Sequence, residues 1–174
     1  MHKEEIIKLL DKEYQELIDW LNKQPNETWE KGPEGKWTTG QHILHLIDAL
    51  KKINRALSYP KFILKKKFGI ANREVRSYEA VAKKYQEKLI QYQDKAATYN
   101  KGMKVPLLEE KKELLNLFQI QHKKLQYKVN KWKDKHLDTV IIPHPLMGKM
   151  PVRELVMWTA HHTAHHRKTL KAHH

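Results

Sequence analysis

The chain has 174 residues, 40% of them apolar and 31% charged, enough for one domain with a single core and too few for two. It contains no cysteine, which excludes disulfides, thiolate catalysis and cysteine-type zinc fingers and leaves histidine and carboxylate as metal ligands. Lysine and arginine outnumber the acids 34 to 20 for a net charge of +14, but the lysines are spread along every segment. Arginine, the usual reader of bases, occurs only at 55, 73, 76, 153 and 167, so the charge reads as a solvated surface and nucleic acid is an unfavoured partner.

No apolar run approaches the ~18–20 residues of a bilayer span, so no membrane association is expected. Met1-His2-Lys3-Glu4-Glu5 leads directly into an amphipathic pattern with no secretory apolar region, and a cytoplasmic location is the expectation. Residues 1–172 are read as a single domain. His173-His174 is set aside as a natural end or the start of a tag.

Five helical segments are predicted. The first spans about Lys3 to Asn22, with Ile6, Leu9, Leu10, Tyr14, Leu17 and Leu21 at three- and four-residue spacing. A loop rich in breakers follows, holding Trp29, Gly32, Pro33, Gly35 and Trp37. The second helix starts at Thr38 or Thr39, either of which can accept the first free N–H groups, and stops before Tyr59-Pro60. Phe62 to Asn72 reads as a basic loop. Ser77 caps a third helix running to about Tyr99, with Glu79 favourably placed in its first turn.

The fourth helix, about Leu107 to Lys133, is periodic in Leu114, Leu117, Phe118, Leu125, Val129 and Trp132. His136 to Met150 reads as a second loop, since Val140-Ile141-Ile142 is too short a β-like run to make a sheet. Pro151 suits the first turn of the last helix. The expected fold is therefore all-α: a four-helix bundle with one accessory helix and long loops.

Of the twelve histidines, six fall in two short helical stretches: His42 and His45, then His161, His162, His165 and His166. Residues four apart share a helix face, so His161/His165 and His162/His166 both have the spacing of a two-histidine metal site. At about 100° per residue, Val152, Leu155, Val156, Thr159, Thr163 and Leu170 form one largely apolar arc. His162 and His166 lie in or at the edge of it; His161 and His165 lie opposite, nearer Trp158 and solvent. A buried pair of neutral imidazoles is costly alone, and a metal removes that cost by taking a lone pair from each. For a third ligand from the second helix, the wheel mildly prefers His42 to His45 and does not decide between them. The tryptophans at 29, 37 and 158 read as anchors, and His144 and Met147 as either lining a site mouth or packing their loop.

Two segments resemble the motifs of the DinB-like family. Trp37-Thr-Thr-Gly-Gln-His-Ile-Leu-His45-Leu46 is similar to its first motif, with a histidine followed by leucine eight positions after tryptophan. His144-Pro-Leu-Met-Gly148 through Glu154, Trp158, His162 and His166-Arg167 resembles its second, which ends His-x-x-His-His-Arg. The chain departs from the family at Gln41, where glutamate is usual, and at Thr169, where glutamine is usual.

The resemblance implies an up-down-down-up DinB/YfiT-type bundle and the ligand set His45, His162 and His166. Such a facial triad leaves one to three positions open on one divalent ion, zinc or nickel foremost and iron, manganese or cobalt also admissible. It implies a thiol transferase or hydrolase-like enzyme that uses a low-molecular-weight thiol such as bacillithiol together with an electrophile, and a homodimer. The alternatives are a non-catalytic metal-binding module and a DNA-damage or stress-associated protein with weak nucleic-acid affinity.

Overall fold

In a computed structural model of the chain, residues 1–92 and 102–173 are described. Among them are seven α-helices and one short hairpin. The helices are α1 (Lys3–Leu21), α2 (Thr39–Ala56), α3 (Lys61–Phe68), α4 (Tyr78–Gln91), α5 (Lys111–Lys131), α6 (Asp134–Thr139) and α7 (Val152–His173). The mostly helical architecture agrees with the all-α expectation. Each long helix buries the stripe its spacing marks out: Ile6, Leu10, Tyr14, Leu17 and Leu21 on α1, and Ile43, Leu46, Ile47, Leu50 and Ile53 on α2. On α5 the stripe is Phe118, His122, Leu125 and Val129. Fully burying one such apolar side chain contributes about 1.5–3 kcal/mol. α1 packs on α7 and α5, and α2 packs on α5 and α7, so these four helices close a ring around the core; α4 lies on the outer face of α7.

The start of α2 is fixed locally. The Thr38 hydroxyl accepts from the Gln41 N–H at 3.2 Å, and the Gln41 side chain accepts from the Thr38 N–H at 3.0 Å, a reciprocal cap that satisfies two otherwise orphaned donors. Gly40 follows because the chain passes Trp29 here: a Cβ at position 40 would stand 2.8 Å from the Trp29 carbonyl oxygen. Trp29 is fully buried, and its indole N–H donates to the Leu107 carbonyl at 3.1 Å. It is thus the anchor expected for this loop.

Four expectations need correction. Phe62 to Asn72 is not all loop: Lys61–Phe68 is helical, with Leu64 its one buried residue. His136 to Met150 contains most of α6 and most of a hairpin, in which β1 (Ile141–His144) pairs antiparallel with β2 (Gly148–Pro151). Pro151 therefore ends β2, and α7 begins at Val152. The fourth predicted helix is shorter, beginning at Lys111 after a 3₁₀ turn at Leu108–Glu110. Ser77 caps α4 as expected, its hydroxyl accepting from the Ala80 N–H. The expected extension of that helix over 93–99, and His174, lie outside the described residues.

α7 is buried along almost its whole first half, from Val152 to Ala160. Charge fixes its position. Glu154, fully buried, accepts from the Arg73 guanidinium at 2.8 Å and from the Arg76 N–H at 2.8 Å. Arg167 donates to Glu13 at 2.6 Å and lies 2.7 Å from Glu16, both on α1. Such pairs hold a helix in one register because misplacing it strands a buried charge.

Candidate metal centre

The side chains of α2 and α7 meet at His45, His162 and His166, whose ligand-capable nitrogens all lie within 4.8 Å of one another. His45 Nε2 is 3.1 Å from His162 Nε2, and His166 Nε2 is 2.9 Å from His162 Nε2. An ion bound at Zn–N distances of 2.0–2.1 Å sets tetrahedral ligand nitrogens about 3.3 Å apart, close to the His45–His162 and His162–His166 separations. His162 and His166 are 3% and 7% exposed. Burial holds both well below the usual histidine pKa, and it pulls His45 down to about 4, with nearby Lys52 adding to the effect. All three imidazoles are therefore neutral at pH 7, the form a metal requires. Three nitrogens this close compete for their protons, and a cation would relieve that competition.

His42 lies beside the triad rather than in it. It is buried, and its Nδ1 is 2.8 Å from His166 Nδ1. If His166 offers a lone pair at Nε2, its proton sits on Nδ1 and is donated to His42 Nδ1. The wheel's mild preference for His42 corresponds to a real proximity, a contact to the Nδ1 side of the His166 ring.

Aromatic rings fix the histidines from both sides. Trp158 stacks on His162 at 4.5 Å and 19°. It was expected on the solvent side with His161 and His165, but α4 covers that side: the Tyr85 ring lies 5.8–6.1 Å from Trp158, His161, His162 and His165. Trp37 packs near His42, His45 and His166 at 5.2–6.1 Å. His161 contacts the Gln86 amide at 3.1 Å, so it and half-buried His165 stand outside the triad.

His144 and Met147 line a cavity that reaches the triad, and they also pack their own turn. The His144 Nδ1 accepts from the N–H groups of Leu146 and Met147 at 3.1 and 3.0 Å, and its ring meets Trp158 edge-on at 4.2 Å. Of the two departures from the family pattern, Gln41 caps α2 and donates to the Met103 carbonyl at 2.9 Å, while Thr169 donates to the His165 carbonyl. The cavity has a volume of about 1460 Å³, above the ~300–1,000 Å³ of an ordinary small-molecule site. His45, His162 and His166 all line it.

Burial makes acid the enemy of this centre. Burial lowers His144 to about 4, as it does His45. These groups, with His162 and His166, have folded pKa values below the unfolded value near 6.5, so the unfolded chain binds protons first as pH falls. The contribution of His45 and His144 is intact above about pH 6.5 and declines toward about pH 4, and His162 and His166 act in the same direction. Denaturant titration of the metal-free protein should show a stability that drops steeply across that window. A flat profile would rule out neutral burial of these rings.

The family model described as the DinB superfamily matches residues 3–170. No curated protein and no solved structure matches the chain.

Proposed function

The chain belongs to the DinB superfamily, and we propose that it is a divalent-metal-dependent enzyme whose ion is held by the Nε2 atoms of His45, His162 and His166. The observation that carries this reading is the convergence of three neutral, largely buried imidazoles on one side of a large cavity. A structural metal site is closed by four protein ligands, whereas three ligands beside a cavity leave room for water or substrate. No carboxylate belongs to the ligand group, so the ion would keep its full double charge and favour an anionic fourth ligand.

When bound, such an ion lowers the pKa of a coordinated water or thiol enough to give a nucleophile at neutral pH. The residues of this chain supply the rest. Trp158 holds the His162 ring flat against it, and His42 accepts the proton that keeps His166 Nε2 free. The family resemblance favours thiol transfer over hydrolysis, with a small thiol adding to an electrophile held in the cavity. Zinc and nickel are the first candidates for the ion, because imidazole nitrogen suits both.

The test is consumption of a low-molecular-weight thiol in the presence of an electrophile by zinc- or nickel-loaded protein. Turnover is expected, and it should fall to background in His166→Ala. Equal turnover by that variant would overturn the mechanism.

A further inference from the structure

The composition of the cavity wall says more about its occupant than its volume does. Lys52, Arg55, Lys67, Lys84, Lys88 and Lys104 line it, against Asp48 as the one acidic lining residue among the described residues. That is six cations to one anion, where the whole chain has 34 to 20. The wall is richer in cations than the chain as a whole, with Lys104 also paired to Glu110 at 2.8 Å.

Between these charges the walls are apolar: Ile53 of α2, Leu64 and Phe68 of α3, Leu89 of α4, and Leu155 of α7. The lining positions run along α2 from His45 to Ala56, about 16 Å at 1.5 Å per residue. One end of the groove meets the histidines. Lys104 lies close to that end, since the neighbouring Met103 is tied to Gln41 at the start of α2. Arg55 lies at the far end, where α2 stops, and Lys67 enters from the C-terminal end of α3.

We propose that this groove binds an elongated amphipathic anion, an apolar chain or ring system bearing a carboxylate or phosphate, as the substrate brought to the histidine centre. The apolar walls remove the hydrocarbon body from water while the cations hold the charged group and draw it in from solution. A small hydrophilic thiol leaves the apolar surfaces of Ile53, Leu64, Phe68, Leu89 and Leu155 uncovered, so the groove is assigned to its reaction partner. This rests on the reading of the histidines as a reaction centre, but the binding itself does not require metal.

Isothermal titration of the full chain with decanoate, decyl phosphate, decanol, decyltrimethylammonium and acetate tests it. One-to-one binding of at least one decyl anion is expected, at least about ten-fold tighter than decanol, the decyl cation or acetate. The ranking of the two anions identifies the preferred headgroup. Lys52→Glu combined with Lys88→Glu should weaken the anion about ten-fold or more and leave decanol within about two-fold, with metal content unchanged. Equal affinity for decanol and both anions, or an unaltered anion affinity in the double variant, would overturn the proposal. Decanoate binding that survives in metal-free His166→Ala would support the groove whatever becomes of the metal reading.

Discussion

His162→Ala is expected to lose its response to metal while remaining folded. His162 touches both other members of the triad, at 3.1 and 2.9 Å, so its removal leaves two nitrogens that no longer converge with a third. Added at 100 times its dissociation constant, zinc should stabilise the parent by about 2.7 kcal/mol. For a chain of this size that raises the melting midpoint by about 5–10 °C. The variant should show no such rise.

The metal-free comparison separates ligation from folding. Truncating a buried ring normally leaves a costly cavity, but here it also relieves the crowding of three unprotonated nitrogens. The metal-free variant should therefore lie within about 2 kcal/mol of the metal-free parent. A zinc-dependent rise of parental size in His162→Ala would remove this residue from the ligand set.

His42→Ala should give a different pattern: full occupancy at saturating zinc, with affinity weakened about 10–100-fold, the usual cost of deleting an outer partner of a ligand histidine. The reason is the Nδ1–Nδ1 contact of 2.8 Å to His166. Without an acceptor there, His166 is free to place its proton on Nε2, where the lone pair is needed. His42→Asn offers an amide oxygen at a similar reach and should recover part of the lost affinity. Chelator competition measures all three proteins. Unchanged affinity in His42→Ala would reduce the contact to packing, and loss of stoichiometry would make His42 a ligand.

The helices α1, α2 and α5 were legible because each buries one stripe, and a stripe is a property of local sequence. The hairpin was not. Its strands hold Pro143 and Pro151, residues without a ladder N–H that count against strand in any local reading. What stabilises it is remote: Val140, Ile142, Met147 and Met150 are buried, and the Val152 N–H donates to the Val140 carbonyl. α3 was missed for a related reason. Phe62 and Ile63 remain exposed, so its inward face is only Leu64 and the partly buried Phe68, too short a stripe to mark a helix in the sequence.

At the site, periodicity separated His162 and His166 from His161 and His165, because α7 packs its apolar arc inward. It misplaced Trp158, since nothing local to α7 signals that α4 covers the other face. It also left His42 and His45 unresolved. Residues three apart lie only about 60° apart on a helix, and both reach the last helix, one at the back of a ring and one at its front. Motif spacing chose His45, and the geometry groups His45 with the inward pair.

The central claim is that His45, His162 and His166 together hold one metal ion. Elemental analysis of the purified parent, His45→Ala and His42→Ala, each equilibrated with saturating zinc and then desalted, tests it most directly. The expected result is about one ion per chain in the parent and in His42→Ala, and essentially none in His45→Ala. Equal loss in both variants, or loss in His42→Ala alone, would contradict it.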